Sequence, residues 1–328
     1  MRAMMLEQGG GRLHERELPR PEPRADEILL KVRACGVCRT DLHIVDGELT
    51  PPAWPVIPGH EVVGEVVAAG QDVHDFKVGE IAGLTWLAGT CGTCEYCRRG
   101  EENLCPNAEF TGFSRFGGYA EYVTARAAFA YKLPQDADPV AVAPLLCAGL
   151  IGYRTWRKAG TAERIGLYGF GAAAHILAQV LIREGKAVYA FTRPGDTVTQ
   201  DFARRLGVMW AGGSDAAPPD TLDAALIFAP VGELVPAALQ AVRPGGSVVC
   251  GGIHMSDIPT FPYRLLWGER RLLSVANLTR EDGRGFLERW AASLIETSTR
   301  TYALDEANQA LDDLRNGRVE GAAVLRMK

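Results

Sequence analysis

Four cysteines in one short stretch of the chain have the spacing of a closed metal site. The stretch CGTCEYCRRGEENLC contains Cys91, Cys94, Cys97 and Cys105, in the order C-x₂-C-x₂-C-x₇-C. Four thiolates that are close in sequence can fill all positions of a tetrahedral Zn²⁺ ion, which is typical of structural zinc. A nucleic-acid-binding zinc ribbon instead has two C-x₂-C pairs, commonly about 15–20 residues apart. We therefore predict that this lobe stabilises a loop or a subunit contact and takes no part in chemistry.

A second set of candidate zinc ligands is dispersed along the chain. Cys38 and His60 stand in CGVCRTDLH and PGHEVVGE, and Cys147 follows in PLLCAGLIGYR. Two thiolates and one imidazole leave the fourth position of Zn²⁺ open for water or substrate, as catalytic sites require. The two sets differ as structural and catalytic zinc sites differ, and the assignment of the dispersed set to a catalytic zinc ion rests on resemblance to a known family.

A glycine-rich turn predicts a dinucleotide site. The segment RIGLYGFGAAAH contains Gly169, Phe170, Gly171 and Ala172 in a G-x-G-x-x-A pattern. It lies between a predicted strand, Arg164–Tyr168, and a predicted helix, Ala172–Glu184. Glycines at this point let the backbone approach a pyrophosphate at the helix N-terminus. The pattern alone also fits a glycine-rich turn of an unrelated α/β protein, but its place between strand and helix favours the cofactor site.

The end of the next predicted strand, VYAFTRPGD, bears on the choice of cofactor. An Asp or Glu about 20 residues beyond the glycines would bind the ribose 2′-hydroxyl of NAD. In this chain the strand ends in Thr192 and Arg193, a hydroxyl and a guanidinium that suit a 2′-phosphate. We predict NADP(H) in preference to NAD(H). The alternative is that Arg193 is a solvated surface residue.

The elements that must position these residues fall into two kinds of pattern. Residues 1 to about 145 read mostly as short strands and loops, including the strands Glu27–Val37 and Val62–Ala68. Predicted strands then alternate with predicted helices as far as about Ala276, which implies βαβ units and a parallel sheet. The further strands are Ala187–Phe191, Ala224–Phe228 and Ser247–Cys250, and the further helices are Thr199–Leu206 and Leu234–Ala241. A helix, Leu304–Arg315, and a strand, Ala322–Met327, are predicted last.

Composition argues against several classes of partner. The 328 residues are 47% hydrophobic and 23% charged, with a net charge of −5. There is no Lys/Arg-rich run, which argues against nucleic acid or an anionic membrane, and no apolar segment of spanning length. The N-terminal MRAMMLEQGGGRL does not have the apolar core of a signal peptide, so we expect a cytoplasmic location. Cys35 and Cys250, outside both zinc sets, are expected to be small buried residues.

The order of these motifs resembles that of a known family. CGVCRTDLH, GHE, the four-cysteine lobe, GGYAEY, Cys147 and the glycine-rich turn occur in sequence along essentially the whole chain. The chain resembles the zinc-dependent alcohol dehydrogenases of the medium-chain dehydrogenase/reductase superfamily. The resemblance implies an α/β fold, with a GroES-like β-barrel catalytic domain over residues 1–146 and a Rossmann domain with a doubly wound parallel sheet over 147–276. Residues 277–328 would return to the catalytic domain, and the assembly would be a homodimer or homotetramer.

The resemblance also implies the reaction, which interconverts alcohols and aldehydes or ketones by hydride transfer with a nicotinamide cofactor. Zinc held by Cys38, His60 and Cys147 would polarise the substrate oxygen. Thr40 matches the family's relay hydroxyl, and His43 matches the imidazole at the outer end of the relay. On the residues alone, Thr40 also fits a capping hydroxyl and His43 a surface histidine.

Three charged residues near these ligands match further positions of the family. Asp41 matches a carboxylate that orients a ligating histidine, in this chain His60. Glu61 matches a carboxylate close to the zinc, and Arg39 an arginine that contacts the cofactor pyrophosphate. The alternatives are ordinary salt bridges for the two carboxylates and a solvated role for Arg39.

Two tryptophans are candidates for the substrate pocket. Trp54 and Trp86 occur in PPAWPVIPGHE and GLTWLAGTCGTC, contexts that resemble those of yeast-type alcohol dehydrogenases. Bulky residues there would narrow the pocket and favour short or flat primary alcohols and aldehydes. Either ring also fits simple core packing, and Phe113 is a weaker candidate for the lining.

Two other functions stay open at this point. One is a quinone-reductase-like member of the same superfamily, which would not need the ligands Cys38, His60 and Cys147. The other is a non-catalytic zinc-binding protein that uses the Rossmann domain as a redox sensor. The ligand set together with Thr40 and His43 favours the alcohol dehydrogenase over both.

Overall fold

The computed structural model describes residues 1–293 and 295–328. They form two units. The first unit comprises Met1–Cys147, Thr279–Arg284 and Glu296–Lys328, and the second comprises Ala148–Leu278 and Gly285–Ile295. The predicted boundaries, at 146/147 and 276/277, differ from this division in three places. Cys147 lies in the first unit, and residues 277–278 and 285–295 lie in the second.

In sequence, the strands of the first unit come both before and after the strands of the second unit. In order they are β1 (Arg2–Met5), β2 (His14–Glu17), β3 (Glu27–Val37), β4 (Glu61–Ala69), β5 (Ile81–Leu84), β6 (Leu87–Gly89), β7 (Glu109–Phe110), β8 (Tyr122–Arg126), β9 (Ala130–Lys132), β10 (Arg164–Tyr168), β11 (Ala187–Thr192), β12 (Trp210–Gly213), β13 (Leu222–Ile227), β14 (Val242–Cys250), β15 (Arg271–Ser274), β16 (Thr299–Ala303) and β17 (Ala322–Arg326).

The α-helices are α1 (Arg39–Val45), α2 (Glu95–Arg98), α3 (Pro139–Val142), α4 (Ala148–Ala159), α5 (Ala172–Arg183), α6 (Thr197–Arg205), α7 (Leu234–Ala241), α8 (Arg280–Ser293) and α9 (Ala307–Arg315). Short 3₁₀ helices span Glu102–Leu104, Ala127–Phe129, Ala143–Leu146, Tyr263–Leu265 and Leu304–Glu306.

The first unit is built around strand β3. This strand pairs antiparallel with β4, β8 and β17, and the main sheet runs β16-β17-β3-β4-β5-β9. Its side chains are buried over nearly the whole length, with only Lys31 and Arg33 exposed. A strand with partners on both sides and protein on both faces needs such a continuous apolar run. Cys35, near its end, is fully buried as predicted.

The second unit contains a parallel sheet in the order β12-β11-β10-β13-β14-β15. Renumbered from its first strand this is 3-2-1-4-5-6, the order of a doubly wound dinucleotide-binding sheet. Alternate residues point to opposite faces. Ile165 and Leu167 of β10 join one core cluster with residues of α5, while Tyr168 joins a second cluster with residues of α7. Helices therefore cover both faces of the sheet. Cys250, the last residue of β14, is partly exposed, contrary to the prediction.

Helix α8 is absent from the predicted elements, because its sequence REDGRGFLERWAAS is polar and carries two glycines. A reciprocal cap starts it: the Asp282 carboxylate accepts from the Thr279 backbone N–H at 3.0 Å and hydroxyl at 2.7 Å, and the Asp282 N–H donates back at 3.2 Å. The glycines make room for tyrosines, since a Cβ on Gly283 would lie 2.3 Å from the Tyr131 ring. The T-x-x-D pattern is the sequence signal for this helix start.

Candidate active site

The junction between β3 and α1 positions five of the predicted site residues. Cys38 is the N-cap residue of α1, with an extended backbone at φ −113° and ψ 163°. Thr40, Asp41 and His43 follow within the helix, where Thr40 and Asp41 are buried. Residues three apart lie on the same face of a helix, so Thr40 and His43 share one face. Arg39, the first helical residue, is exposed.

The register of β3 against β4 brings the second segment of the site to the first. Gly36 pairs with Glu61 at the end of this ladder, so that His60 and Cys38 both lie within two residues of the pair. A Cβ on Gly36 would lie 1.7 Å from Glu61 Oε2. Only glycine leaves room for the Glu61 carboxylate at this position. Gly36 is not among the predicted site residues, although its place between two cysteines in ACGVC is a signal.

Cys147 arrives from a third segment, directly after the 3₁₀ helix Ala143–Leu146, which packs against β4. Its Sγ lies 3.7 Å from Cys38 Sγ. One ligand atom from each of Cys38, His60, Glu61 and Cys147 lies within 4.8 Å of the others. The structure therefore brings together all three predicted ligands of the catalytic metal, with Glu61 beside them.

Asp41 ties the two ligand-bearing segments together and is fully buried. Its Oδ2 accepts the Cys38 backbone N–H at 2.9 Å, and its Oδ1 accepts the Gly59 N–H at 3.1 Å. Oδ1 also lies 3.4 Å from His60 Nδ1, a distance that makes this contact mainly electrostatic. One carboxylate thus holds the backbone of Cys38, the backbone directly before His60, and the His60 ring.

The electrostatics of the cluster suit a cation. Burial opposes a charge on His60, but Asp41 and Cys38 outweigh it and raise the His60 pKa well above its usual value. Contact with Cys147 lowers the pKa of Cys38, and the same contact raises the pKa of Cys147. Burial, with the Cys38 charge second, raises the pKa of Glu61. An excess of buried acidic groups is therefore held around a point where positive charge is favourable.

The donor set also fits zinc. His60 is 1% exposed, yet neither ring nitrogen has a hydrogen-bond partner of good geometry. A buried imidazole that lacks such partners beside two thiols has the soft N/S ligands that Zn²⁺ prefers. Metal binding would displace protons from the same groups.

An aromatic cluster flanks His60 on the same unit. The Trp86 ring meets His60 edge-to-face, with centroids 5.1 Å apart. Phe110 stacks on Trp86 at 5.1 Å, and Phe113 lies against it at 5.6 Å. Trp54, the other predicted pocket residue, is partly buried and packs against the main core of the unit and near Gly9. Phe110, which is not among the predicted residues, belongs to the cluster.

The four-cysteine lobe is pre-shaped by backbone N–H groups that point at sulfur. Cys94 N–H donates to Cys91 Sγ at 3.3 Å, and Cys97 N–H donates to Cys94 Sγ at 3.5 Å. The Cys91 N–H donates to Cys105 Sγ at 3.5 Å. Hydrogen bonds from Thr93 and Cys94 lower the pKa of Cys91 to about 6, which favours the thiolate. All four Sγ atoms lie within 4.8 Å of one another, as a tetrahedral metal requires.

An ion pair fastens this lobe to the start of α8. Glu102, between the third and fourth cysteines, binds the Arg280 guanidinium at 2.7 Å and accepts the Arg280 backbone N–H, also at 2.7 Å. The Arg280 guanidinium also lies 4.4 Å from the centre of the Phe129 ring. The lobe is therefore anchored within the first unit by a charged contact as well as by its sulfurs.

The glycine-rich turn in the second unit has the geometry of a phosphate-binding loop. Gly169 follows β10 with φ +88°, and a Cβ there would lie 2.7 Å from the Ala229 nitrogen. Gly171 is the N-cap of α5 and provides no side chain to cap it, while a Cβ on it would meet no atom within 4 Å. The first N–H groups of α5 thus have no side-chain cap, and an anion at this helix N-terminus is favourable. Phe170, between the glycines, is buried.

Thr192, at the end of β11, has hydrogen-bond partners within its own unit. Its hydroxyl is buried and donates to the Arg193 carbonyl at 3.0 Å, and it accepts from Gln200 Nε2 at 3.1 Å. These bonds hold the turn that follows the strand. Arg193 is exposed, and within residues 1–293 and 295–328 its guanidinium makes no hydrogen bond or ion pair.

Comparisons with known proteins agree with this architecture. The Alcohol dehydrogenase GroES-like domain matches residues 24–135. A Mycobacterium tuberculosis protein described as a probable alcohol dehydrogenase, AdhA, is 47% identical over 316 residues, which cover 94% of this chain and 90% of the relative. Acetophenone reductase from Geotrichum candidum, solved with NAD, has a TM-score of 0.88 at 26% identity, covering 99% of this chain and 96% of the other.

A third relative carries the other cofactor. A Sinorhizobium meliloti protein described as a zinc-binding dehydrogenase and bound to NADP has a TM-score of 0.88 at 27% identity, covering 99% of this chain and 98% of that one. The chain belongs to the zinc-type alcohol dehydrogenases of the medium-chain dehydrogenase/reductase superfamily. The predicted fold class, a GroES-like domain with a Rossmann domain, is confirmed.

Membership of the family fixes the class of reaction. The protein is an alcohol dehydrogenase of the zinc type with a nicotinamide cofactor, and its substrates are alcohols or aldehydes of the small-molecule class. None of the helices in the described part of the chain has both the length and the apolar character needed to cross a bilayer.

Proposed function

We propose that the protein is a zinc-dependent, NADP(H)-preferring dehydrogenase of short or flat primary alcohols and their aldehydes. The convergence of Cys38, His60 and Cys147 within 4.8 Å carries this proposal. A zinc ion held there acts as a Lewis acid, lowering the pKa of an alcohol or polarising a carbonyl. The cofactor supplies or accepts the hydride.

The residues around the ligands have distinct tasks in this proposal. Asp41 keeps His60 and the start of α1 in place through its two oxygens. The Thr40 hydroxyl, 3.8 Å from Cys38 Sγ, accepts the alcohol proton as it leaves. His43, on the same face of α1 and with its side chain 20% exposed, passes that proton outwards. Glu61 supplies a further oxygen next to the ligand set.

The size limit on the substrate comes from the aromatic cluster. Trp86 lies edge-on to the ring of a metal ligand, so any substrate bound next to His60 meets a rigid indole. Phe110 and Phe113 back this indole and keep it from moving aside. We assign the pocket wall to Trp86, and assign Trp54 to core packing because of its contacts.

The cofactor preference rests on Arg193. Its exposed guanidinium follows β11 at the position where an acidic residue would bind the 2′-hydroxyl of NAD. A guanidinium makes charge-assisted bonds to a phosphate, and neither Thr192 nor Arg193, the residues at the strand end, is acidic. Thr192 supports this by holding the turn, and Arg39 is proposed as a pyrophosphate contact.

The second zinc ion is proposed for the four-cysteine lobe, where its role is structural. Backbone N–H donors to the sulfurs and the ion pair between Glu102 and Arg280 hold the lobe in one shape. The homodimeric or homotetrameric state stays a prediction from the family.

One experiment tests the enzyme class, zinc dependence and cofactor together. Initial rates of NADPH and NADH oxidation are measured with short, branched and aromatic aldehydes, and metal content is measured on the same samples. We expect turnover with short aldehydes, faster with NADPH. His60→Ala should lower kcat by at least about 100-fold with the fold intact, while His74→Ala, at an exposed histidine, should not.

Other outcomes would redirect the proposal in defined ways. Faster turnover with NADH would keep the enzyme and overturn the cofactor preference. Normal rates in His60→Ala would overturn the catalytic zinc site. Zinc-loaded protein without turnover on any carbonyl would support the redox-sensor alternative.

A further inference from the structure

The turn formed by residues 110–115 is closed by its own backbone. The N–H groups of Phe113, Ser114 and Arg115 all donate to the Phe110 carbonyl, at 3.3, 3.1 and 3.1 Å. The Phe110 N–H donates in turn to the Ser114 hydroxyl at 2.7 Å. Because these bonds join both ends of the turn, a displacement of Arg115 is passed directly to the two phenylalanines of the aromatic cluster.

The same turn lies against the segment that leads to His60. Gly112 has φ +76°, and a Cβ on it would lie 2.8 Å from the Gly59 nitrogen. The neighbouring Thr111 N–H donates to the Trp86 carbonyl at 2.9 Å. The turn therefore contacts both the backbone before a metal ligand and the backbone of the tryptophan that packs on this ligand.

A largely buried ion pair fastens the turn to the central strand of the sheet. The Arg115 guanidinium binds the carboxylate of Glu27, the first residue of β3. The exposed fraction is 16% for the Arg115 side chain and 3% for that of Glu27. The other Glu27 oxygen accepts the Arg24 N–H at 3.1 Å, which fixes the carboxylate in place.

A second carboxylate helps to fix the direction of the Arg115 side chain. Glu109 lies 3.4 Å from the guanidinium, and the same Glu109 oxygen is 3.1 Å from Arg126. A guanidinium presents its donors in a rigid planar fork, so two carboxylates on it define its orientation. Burial opposes the charge on Arg115, but Glu27 and Glu109 outweigh it and raise the Arg115 pKa. The charged side chain therefore holds the turn at a fixed distance from β3.

We propose that Arg115 is a positioning residue for substrate selection. Its guanidinium binds Glu27, and its backbone belongs to the turn that carries Phe110 and Phe113. These two rings keep Trp86 in place, so that a substrate meets an indole that does not yield. Without the ion pair the turn moves, the indole follows, and branched or aromatic aldehydes fit. The inference rests on the proposed function, which assigns the pocket wall to Trp86.

Hydrogen exchange tests the positioning without reference to activity. The full-length protein and its variants are compared by mass spectrometry on peptides that span residues 110–118. In Arg115→Met we expect the N–H groups of the turn to exchange about 10-fold faster, because the turn opens more often. Exchange as slow in Arg115→Met as in the native protein would overturn the proposal.

Arg318→Met is the matched control for loss of a guanidinium. It removes the bond, at 2.8 Å, to Asp313, another carboxylate of the first unit whose side chain is 3% exposed. Exchange of the turn should stay native in this variant. Equal acceleration in both variants would show a general loosening of the unit, and would overturn the specific role of Arg115.

A double variant separates positioning from stability. Arg115→Met alone leaves the Glu27 carboxylate buried and unpaired, which destabilises the fold. Arg115→Met with Glu27→Gln removes both charges and should recover the midpoint of unfolding in urea. It should not recover slow exchange, because the bond between the turn and β3 is still absent. Arg115→Lys keeps a charged contact to Glu27 and should fall between Arg115→Met and the native protein. Recovery of slow exchange together with stability in the double variant would show that Arg115 acts on stability alone, and would overturn the proposal.

Kinetics test whether the positioning affects the choice of substrate. The measured quantity is kcat/KM for benzaldehyde relative to that for acetaldehyde, at equal metal content. Arg115→Met should raise this ratio by about 5-fold, less than Trp86→Ala does, because a displaced indole still occupies part of the space. The ratio should be native in Arg318→Met. In the Trp86→Ala background, Arg115→Met should have no further effect, since coupled residues are not additive.

The outcomes distinguish this inference from the proposed function. If Trp86→Ala raises the ratio but Arg115→Met does not, the pocket wall stands and this inference is overturned. If Arg115→Met raises the ratio equally with and without Trp86→Ala, Arg115 does not act through the indole, and the inference is again overturned. If Trp86→Ala leaves the ratio unchanged, the pocket wall of the proposed function fails, and this inference fails with it.

Discussion

Gly36 and Glu61 face each other across the β3–β4 ladder, and the Glu61 carboxylate occupies the space where any other residue at position 36 would place its Cβ. This pair joins the barrel to the metal site. The glycine belongs to the central strand, and the carboxylate belongs to the group of atoms around Cys38. The end of the β3–β4 ladder therefore belongs both to the sheet and to the metal site.

Gly36→Ala should displace the Glu61 carboxylate. The added methyl is 1.7 Å from Oε2, and overpacking of this kind costs about 1–3 kcal/mol. We expect a lower midpoint of unfolding in urea and a lower metal content at the site of Cys38, His60 and Cys147. The double variant Gly36→Ala with Glu61→Ala should recover part of the stability, because the contacts with the carboxylate at 1.7 and 2.7 Å are gone and only the contact with the Cβ of residue 61, at 2.9 Å, remains. A single variant as stable as the native protein would contradict the required glycine.

Trp86→Ala should widen the range of substrates. Removing the indole beside His60 opens space for branched and aromatic aldehydes, and their kcat/KM relative to acetaldehyde should rise by about 10-fold or more. Trp86→Phe retains a ring against His60 and should give an intermediate profile. Metal content is measured in each variant, since the indole also packs on a ligand. An unchanged profile at full metal content would place Trp86 outside the pocket.

Arg193→Ala should weaken NADPH far more than NADH. A charge-assisted hydrogen bond contributes about 1.5–3 kcal/mol, so we expect the KM for NADPH to rise by about 10–100-fold with that for NADH nearly unchanged. Arg205→Ala, which removes a guanidinium that lies over the Phe202 ring in α6 of the same unit, controls for general loss of positive charge. Equal effects on both cofactors would show that Arg193 does not bind the 2′-phosphate.

His175 should make the protein acid-sensitive in a defined range. This α5 residue is 1% exposed, and burial lowers its pKa from 6.5 to about 4. Between pH 6.5 and about 4, His175 is therefore protonated in the unfolded chain but neutral in the folded chain. The free energy of unfolding consequently decreases as pH falls through this range. The full effect is about 3 kcal/mol.

His175→Leu should reduce that slope, because leucine fills the site without titrating. Unfolding in urea at about pH 7 and about pH 4.5 measures the difference for native protein and variant. His14→Gln, at an exposed histidine of β2, should retain the native slope. A His175→Leu protein that loses as much stability in acid as the native one would assign the sensitivity to other groups.

Much of the fold could be predicted from local patterns of apolar residues in the sequence. The strand Glu27–Val37 and the helix Leu234–Ala241 have the predicted bounds, because a continuous apolar run and a helical period are strong signals. Helix α8 could not be read in this way. Its glycines lower helix propensity, and the space for Tyr131 that explains Gly283 exists only in three dimensions.

The candidate site could likewise be predicted only in part from the sequence. The types and spacing of cysteine and histidine indicate a metal, and the structure places Cys38, His60 and Cys147 together. Two other features depend on residues that are distant in the chain or in a turn: the hydrogen bonds of Thr192 and the space that Gly36 gives Glu61. Their partners depend on strand register and turn geometry, which residue type alone does not determine.

Helix α8 has a consequence for recombining this protein with its relatives. Its first turn is capped by Thr279 and Asp282 within the first unit, whereas Phe286 is fully buried within the second, where a Cβ on Gly149 would lie 2.5 Å from its ring. A chimaera that exchanged only residues 148–278 would pair one parent's Gly149 with the other parent's Phe286. Exchange of the cofactor module therefore requires two crossover segments, with residues 285–295 inherited together with 148–278.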